Sequence, residues 1–263
     1  MPMTLPTPPA AFHWTIEPWG PMLRCHALDG IAQHGFTSRQ LELRPGEVAT
    51  SRWNAAAASV GCSVDRVRRI RQVHGAVVQV VDERPLDGAP PESDAAITAA
   101  AGVAVAVVAA DCVPILLADR RTGAVAAIHA GWRGTAARVT EATVESLHRE
   151  YRVDASQLVA AIGPSIGACC YEVGDDLLTA FAAAGFSSVD LAEWFARDRR
   201  SRLRLDLWQA NADQLVHAGV PRAQVHVSGL CTKTHLEVFE SFRAEGERAG
   251  RMAALIVAPP AVR

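Results

Sequence analysis

The fold of this 263-residue chain is decided by an apolar stretch near its middle. Residues 103–130 read VAVAVVAADCVPILLADRRTGAVAAIHA, in which apolar runs are separated by Asp111-Cys112 and by the polar residues 119–123. The first run is rich in valine and apolar throughout, which is typical of a strand buried on both faces. The polar residues between the second and third runs include a glycine and predict an antiparallel hairpin.

The register of this hairpin brings two side chains of metal-ligand type to one end. We expect the five-residue polar turn to pair Ala118 with Ala124. The same register sets Cys112 opposite Ala130, next to His129. Opposed and diagonal positions on paired strands lie roughly 5 to 8 Å apart. Cys112 and His129 are therefore predicted to be neighbours, and a small shift in register leaves both at the same end.

Helical patterns flank the strands. Residues 48–60 are alanine-rich and predict a helix, and another helix is predicted from about residue 206 to Gly219. The clearest helix is predicted over residues 134–150, with Thr135 as its N-terminal cap. Its buried stripe consists of Ala136, Val139, Thr143 and Leu147.

The order of these elements predicts an α/β (α+β) fold with a mixed β-sheet core and flanking helices. No Ser/Gly-rich linker or repeat divides the chain. We therefore expect residues 21–263 to form a single domain and residues 1–20 to be an N-terminal tail. A chain of this length buries enough surface to fold without a metal, so a bound metal is expected to be functional.

Composition excludes several classes of function. Hydrophobic residues make up 49% of the chain and charged residues 21%, with a formal net charge of −2. There is no basic stripe, and Lys233 is the sole lysine, so nucleic acid is not an expected partner. The sequence also lacks a Walker phosphate-binding loop and a Gly-x-Gly-x-x-Gly fingerprint, which excludes nucleotide-driven motors and dinucleotide dehydrogenases.

The chain carries no signal for a membrane or for secretion. Its longest apolar run, residues 95–110, is interrupted by Thr98 and Gly102 and is shorter than the ~18 residues of a membrane span. Residues 1–9 have neither a cationic start nor an apolar core, unlike a secretory signal. We therefore expect a cytoplasmic monomer or homodimer with reduced thiols and no membrane partner.

One of the other histidines, His74, also lies at a predicted strand end. It lies in the segment Arg71-Gln72-Val73-His74-Gly75, where one apolar run gives way to another. A histidine at such a strand end is more often exposed or hydrogen-bonded than a metal ligand. The local pattern therefore leaves its role open.

Six short motifs together resemble the laccase-domain family, which is also called polyphenol oxidase-like and has members described as purine nucleoside phosphorylases with adenosine deaminase activity. The similarity runs from about His34 to Ile256. The motifs, in chain order, are Gln72-Val73-His74-Gly75, Ala110-Asp111-Cys112-Val113-Pro114, His129-Ala130-Gly131-Trp132-Arg133-Gly134, Gly163-Pro164-Ser165-Ile166-Gly167, Cys170-Tyr171-Glu172-Val173-Gly174 and Cys231-Thr232.

This resemblance implies a site and an activity. The site is a metal, usually zinc with copper as the alternative, held by His74, Cys112 and His129 in a shallow cavity at the end of a mixed sheet. The activity is phosphorolysis of adenosine, inosine and methylthioadenosine, together with hydrolytic deamination of adenosine. The partners would then be a small purine nucleoside and phosphate.

The sequence departs from the family pattern near the expected substrate site. After Arg39 the family has a Gly-Gly loop and a Ser-Leu-Asn segment, whereas this chain continues directly through residues 40–46. The family's Asn-Arg appears as Ser51-Arg52, and its C-terminal Arg-Arg appears as Arg243-Ala244. The expected metal ligands are complete, while the expected substrate contacts are trimmed.

The expected chemistry assigns further candidate residues. Two imidazoles and one thiolate leave a position of tetrahedral zinc open for water, which is the arrangement of a catalytic site. Deamination needs a carboxylate to move a proton; Glu172 and Asp111 are candidates, although Asp111 is equally suited to orienting a ligand.

Phosphorolysis needs a site that binds an anion. Arg133 stands just before a predicted helix N-terminus, and Arg52 and Arg243 match family positions, so these three are the candidate substrate-binding residues. The alternative for each is a surface ion pair.

Other functions remain open at the level of sequence. A copper-dependent, laccase-like oxidase would use the same ligands with an axial methionine, for which only Met22 and Met252 lie within the body of the chain. A Cys-His hydrolase acting on a cell-wall precursor would use Cys112 as nucleophile and His129 as base. A Gly-x-Ser-x-Gly nucleophile elbow at residues 163–167 is the weakest alternative. A metal-stabilised scaffold would close the site with a fourth ligand, Cys169 or Cys170.

Overall fold

The computed structural model describes residues 4–44, 50–84 and 88–260. Its strands are, in chain order, β1 (Phe12–Glu17), β2 (Gly20–Cys25), β3 (His34–Thr37), β4 (Val67–Arg69), β5 (Val78–Val80), β6 (Ala95–Thr98), β7 (Ala104–Ala109), β8 (Val113–Asp119), β9 (Val125–Ala130), β10 (Leu158–Ile162), β11 (Phe195–Arg197), β12 (Leu203–Leu205), β13 (Val225–Val227) and β14 (Met252–Val257). One six-stranded sheet has the order β1-β2-β3-β14-β7-β4, and a second has the order β13-β10-β8-β9-β6-β5. The strands β11 and β12 form a small separate sheet.

The helices of the described residues are, in chain order, α1 (His26–Asp29), α2 (Thr50–Ser59), α3 (Trp132–Ala136), α4 (Val139–Tyr151), α5 (Asp175–Ala183), α6 (Ser188–Trp194), α7 (Leu207–His217) and α8 (Phe242–Glu245). Within the described ranges, none of these helices has the length and apolar character needed to cross a membrane.

The two large sheets pack face to face. Their facing side chains form one apolar layer, which includes Val105 and Ile256 from the first sheet and Leu116 and Val159 from the second. The outer face of the second sheet packs against α4 and α7 in another cluster, and that of the first sheet packs against α2. The predicted mixed α/β single domain is confirmed, as helix, sheet, sheet and helix layers.

The predicted hairpin is confirmed as β8 and β9, with the register displaced by one residue. Val113 pairs with Ala130, and Pro114 pairs with His129. The shift arises because the Asp119 amide donates to the Ala124 carbonyl at 2.8 Å, which extends the ladder into the turn. As expected, both Cys112 and His129 lie at the same end of the hairpin.

The single helix predicted over residues 134–150 is wrong, because the structure has two helices there. Arg138 takes a left-handed conformation (φ 62°) between α3 and α4. Thr135 caps neither helix. Its hydroxyl accepts a hydrogen bond from the Asn211 amide at 3.0 Å, and its carbonyl accepts one from Gln214 at 2.8 Å. In a continuous helix the Thr135 carbonyl would accept from the Val139 amide; here it accepts from Gln214 and from the Arg138 amide, the latter at 3.0 Å. The buried stripe was predicted correctly for Val139, Thr143 and Leu147.

The other helix predictions agree with the structure. The helix expected after residue 206 is α7, which Asp206 caps by accepting a hydrogen bond from the Gln209 amide at 3.0 Å. The alanine-rich helix is α2, and residues 48 and 49 of that prediction lie outside the described residues.

The N-terminal boundary predicted at residue 20 is wrong. Strand β1 pairs along its whole length with β2, and Phe12 is buried in the layer between the sheets. Upstream of this strand, the Pro6 carbonyl accepts a hydrogen bond from the Trp14 indole at 2.9 Å. The domain therefore includes residues that the sequence analysis assigned to a tail, because their apolar side chains complete the edge of the first sheet.

Candidate functional site

Three side chains predicted to meet do meet at the end of the β8–β9 hairpin. His74 lies in the loop between β4 and β5, Cys112 immediately precedes β8, and His129 belongs to β9. One ligand atom from each lies within 4.8 Å of the others. The Cys112 sulfur is 3.9 Å from His74 Nε2, and the two imidazole rings meet edge to face. Three residues that are distant in sequence thus form one cluster in the structure.

A buried aspartate, Asp94, organises this cluster. Its Oδ1 accepts hydrogen bonds from the His129 ring and the His74 amide, both at 2.9 Å. Its Oδ2 accepts from the amides of Gly75 at 2.6 Å and Val73 at 3.2 Å. Because Nδ1 of His129 is turned to the carboxylate, Nε2 is the nitrogen directed toward the cluster. The same carboxylate holds the His74 loop, where His74 itself has a positive φ of 62°.

The sequence motifs did not predict a role for Asp94. Its only local signal is an acidic residue directly before the apolar strand β6. An aspartate at such a position is common in turns. The signal becomes specific only when β6 pairs with β9 and sets Asp94 beside His129.

Gly131 allows the cluster to close. A Cβ atom at this position would lie 2.9 Å from the Cys112 sulfur and 3.0 Å from Cδ2 of His74. Both distances are shorter than ordinary contacts, so a larger residue would push the two candidate ligands away. The glycine of the His-Ala-Gly segment is therefore part of the site geometry.

The electrostatics of the cluster favour the thiolate form of Cys112. Burial raises the pKa of the Cys112 thiol, but the charge of His129 and hydrogen bonds from His129 and His74 outweigh burial and lower it. Burial lowers the pKa of His129, while the Cys112 thiolate and Asp94 outweigh that effect and raise it. A thiolate and two oriented imidazoles form a donor set that suits a metal ion, so the residues present fit the group that the sequence implied.

The cluster opens into a large cavity between the first sheet and the segments after β10. The cavity has a volume of about 1040 Å³. Its apolar walls include Trp53, Val108, Ile166, Tyr171 and Phe242. Cationic side chains on its wall include Arg69, Arg71, Arg243 and Arg251. This volume and mixed lining suit an aromatic, polar small molecule.

Two of the predicted residues, Arg243 and Asp111, border the cavity. Arg243 reaches over the Tyr171 ring, with its guanidinium carbon 5.0 Å from the ring centroid. The Asp111 carboxylate accepts hydrogen bonds from the Thr232 hydroxyl and the Arg243 amide, both at 2.6 Å. Since both carboxylate oxygens are engaged in this way, the geometry favours a positioning role for Asp111 over proton transfer.

The structure does not bring three other predicted residues to this cavity. Among the described residues, its wall includes neither Glu172, Arg52 nor Arg133. Glu172 faces a neighbouring pocket and pairs with Arg202 at 3.2 Å. Arg52 pairs with Glu42 at 3.0 Å, and the guanidinium of Arg133 lies 4.2 Å above the Trp132 ring. Their proposed catalytic and substrate-binding roles stay predictions.

Two of the alternative sites receive no support from the geometry. Ser165 is fully buried, its hydroxyl accepts a hydrogen bond from the Trp208 indole at 2.6 Å, and no helix follows it directly, so it is not a nucleophile elbow. Cys169 and Cys170 lie with Cys231 in a separate cluster. They are therefore not placed as a fourth ligand to the His74 cluster.

The methionines also lie away from the cluster. Met22 is fully buried against the outer layer of the first sheet, and the sulfur of Met252 accepts a hydrogen bond from the Glu240 amide at 3.4 Å. Neither forms part of the cavity wall described above. Neither methionine is therefore a candidate for the axial sulfur ligand of a blue-copper site.

The fold and the site together define a mixed α/β protein with a candidate His₂Cys metal centre. Residues 30–259 match the family described as multi-copper polyphenol oxidoreductase laccase. The chain belongs to this laccase-like family, as the sequence motifs predicted.

Individual relatives agree with this assignment. The chain is 42% identical over 235 residues to a protein of Deinococcus radiodurans named purine nucleoside phosphorylase, covering 88% of this chain and 86% of that one. It is 38% identical over 202 residues to a protein of an unknown prokaryotic organism named adenosine deaminase RL5, covering 74% of this chain and 76% of that one. A purine nucleoside phosphorylase of Bacteroides thetaiotaomicron is 38% identical over 159 residues, so the chain spans 58% of that relative's length.

Solved structures show the same fold. YlmD from Geobacillus stearothermophilus superposes with a TM-score of 0.82 at 28% identity, covering 94% of this chain and 99% of that one. The agreement extends over nearly the whole of both chains.

Proposed function

We propose that this protein is a metal-dependent purine nucleoside phosphorylase that also deaminates adenosine. The observation that carries the proposal is the cluster of His74, Cys112 and His129, which opens into a cavity large enough for a nucleoside. The names of the relatives supply the substrate class.

Zinc is the metal that we propose, held by the three residues of the cluster, with copper as the alternative. Two imidazoles and one thiolate match the ligands of catalytic zinc sites, which keep a further position open. When bound, zinc would lower the pKa of water to about 7 and polarise a substrate oxygen. Asp94 would keep the His129 imidazole in the tautomer that such a metal requires.

The chain's own residues would orient the nucleoside. The rings of Trp53 and Tyr171 offer apolar surface for a purine. Arg243 is the candidate for holding phosphate, because its guanidinium is on the cavity wall and its main chain is fixed by Asp111. As part of this proposal, nucleoside and phosphate are the partners, the location is the cytoplasm, and the protein acts as a monomer or homodimer.

Product analysis tests the proposal directly. The metal-assayed protein would be incubated with adenosine, inosine and methylthioadenosine, with and without phosphate. Free base and ribose 1-phosphate (methylthioribose 1-phosphate from methylthioadenosine) that appear only with phosphate support phosphorolysis. Inosine formed from adenosine without phosphate supports deamination. No turnover by protein with stoichiometric zinc would overturn the purine assignment.

Two variants separate an enzyme from a metal-stabilised scaffold. Cys112→Ala should lose metal and activity but retain its fold, because the buried core does not depend on the metal. Cys62→Ala is the matched control, since this cysteine lies on a different part of the chain and should leave both unchanged. Unfolding of Cys112→Ala alone would favour the scaffold.

Chelation and copper loading separate the remaining alternatives. A hydrolase that uses Cys112 as its nucleophile would remain active after chelation, whereas the proposed enzyme would not. A laccase-like oxidase would oxidise a phenol in the copper-loaded form. We expect no phenol oxidation beyond that of free copper, because neither Met22 nor Met252 borders the cluster.

A further inference from the structure

A second cluster of sulfur atoms lies outside the site described above. Cys169, Cys170 and Cys231 each place a sulfur within 4.8 Å of the other two, and all three cysteines are free. Two of them are adjacent in sequence, and the third comes from a distant segment. No step of the proposed reaction uses them.

Main-chain hydrogen bonds fix the positions of these cysteines. A turn in which the Cys170 amide donates to the Gly167 carbonyl at 2.9 Å carries the adjacent pair. An isolated parallel bridge between Ser165 and Cys231 joins this segment to the one that carries the third sulfur. The Gly167 amide also donates to the Cys231 sulfur at 3.3 Å. The cluster is therefore built by the tertiary structure before any ligand arrives.

The surroundings of the cluster are cationic and accessible. Cys169 is exposed, Cys170 is half-buried and Cys231 is buried. Cys169 and Cys170 line a pocket of about 320 Å³, whose remaining lining residues are Glu172, Arg202, Arg204, Lys233 and Arg243. These four cations outnumber the two carboxylates around them, Glu172 and the Asp198 that pairs with Arg202 and Arg204, and offset the negative charge that several thiolates would bring together.

We propose that Cys169, Cys170 and Cys231 form a second metal site that binds a thiophilic d¹⁰ cation, such as Cu⁺ or Zn²⁺, through three thiolates. Thiolates are soft ligands that select such ions. Metal–sulfur bonds of about 2.3 Å separate the sulfurs by roughly 4 Å, so the cluster needs only a small contraction to bind. Binding replaces the thiol protons with the metal and releases them to solvent.

This site is separate from the His74 cluster but structurally connected to it. Arg243 lines both pockets. The carboxylate of Asp111, which precedes Cys112, accepts a hydrogen bond from the hydroxyl of Thr232, which follows Cys231. The second site does not depend on the proposed purine chemistry, so a failed activity assay would leave it standing.

Cadmium titration of the reduced protein without oxygen tests the proposal. Cd²⁺ is a d¹⁰ probe whose bonds to thiolates absorb in the ultraviolet. The intact protein should bind about two Cd²⁺ per chain, with absorbance equivalent to about four thiolates, one from Cys112 and three from the second cluster. Cys112→Ser should retain about three-quarters of this absorbance.

Variants of the second cluster give the complementary result. Cys231→Ser should lose most of the absorbance and one of the two cadmium ions. Because Cys231 is buried, Cys169→Ser at the exposed position provides a second variant that is expected to fold normally. Cys62→Ser is the matched control and should retain both ions.

Binding of a single cadmium ion by the intact protein would overturn the proposal, as would unchanged absorbance in both Cys231→Ser and Cys169→Ser. If the reduced protein binds only one ion and two thiols of this cluster disappear on exposure to air, the cluster is a disulfide-forming group and not a metal site.

Discussion

At the scale of single residues, one carboxylate accounts for much of the candidate metal centre. Asp94 accepts hydrogen bonds from the main chain around His74 and from the ring of His129. Burial raises its pKa, but the hydrogen bond from His129 and those from the Gly75 and His74 amides outweigh burial and lower it. Asp94 therefore stays ionised and joins two elements that are far apart in sequence.

We predict that Asp94→Asn weakens metal binding by about 10- to 100-fold, because an amide replaces one acceptor oxygen with a donor that faces other donors. Competition with a chelator measures the affinity. Asp119→Asn is the matched control: Asp119 is also fully buried and accepts a hydrogen bond from the Thr122 amide at 2.8 Å, but it lies at the far end of the hairpin. Equal loss of affinity in both variants would contradict the role given to Asp94.

We predict that Gly131→Ala also weakens metal binding, on the order of tenfold, because the added methyl group displaces Cys112 and His74. Gly30→Ala is the control, since Gly30 has a negative φ and no atom would lie within 4 Å of its new Cβ. Competition with a chelator measures the metal affinity of both variants. Unchanged affinity in Gly131→Ala would contradict the role given to Gly131.

At the scale of elements, the local sequence pattern determines that the β8–β9 hairpin forms, and the hydrogen bonds between its strands determine its register. The apolar runs and the polar turn predicted its existence and the strand ends at Val113 and Ala130, whereas the two ends at the turn differ from the prediction by one residue each. The register moved by one residue because Asp119 pairs within the ladder. Cys112 and His129 remain neighbours because both lie at strand ends, where a one-residue shift changes the distance little.

Helix α4 shows a left-handed residue at its C-terminal end. Arg152 has a φ of 57° and its amide donates to the carbonyls of His148 and Leu147. A side chain in this conformation costs about 1 kcal/mol, which glycine avoids.

We therefore predict that Arg152→Gly raises the free energy of unfolding by about 0.5 to 1 kcal/mol in urea titrations. Arg149→Gly, within the same helix, should lower it by about 1 kcal/mol, because glycine is a poor helix former. A decrease in both variants would mean that the Arg152 side chain makes a contact that outweighs its backbone strain.

At the scale of the whole molecule, packing of the first sheet depends on a buried neutral histidine. His34 Nε2 accepts a hydrogen bond from the Cys25 amide at 2.8 Å, and its Nδ1 donates to the Ala32 carbonyl at 2.9 Å. Protonation would place an N–H group against the Cys25 amide. Burial lowers the pKa of His34 from 6.5 to about 4, with smaller opposing or reinforcing effects from Ala32, Asp29, Arg24 and His13.

The pH dependence of stability follows from this shift. Between pH 6.5 and 4 the unfolded chain binds a proton at His34 that the folded chain does not, so stability falls as the pH falls through this window. The loss reaches about 3 kcal/mol at most. Urea unfolding at several pH values measures it. His34→Gln, which keeps a donor and an acceptor, should flatten the dependence in this window, whereas the exposed His217→Gln should not; identical slopes would contradict the assignment.

The sequence by itself determined the buried strands, the hairpin and the meeting of Cys112 with His129, because these depend on apolar periodicity and on residues close along the chain. Its motifs also identified the family and added His74. The continuous helix over residues 134–150 was wrong because contacts from α7 overrode the local pattern. The N-terminal tail was wrong because residues 12–17 form a strand with the neighbouring β2 and bury Phe12 between the sheets.

Only the tertiary structure decided which polar side chains contact one another. Asp94 reaches His129 because β6 pairs with β9, and Cys231 joins Cys169 because a bridge connects two segments far apart in sequence. It also placed Arg243 on the cavity wall and directed Arg52 to Glu42. Such contacts depend on strand order and long-range pairing, which apolar periodicity does not encode, because the periodicity specifies which face is buried but not which partner covers it.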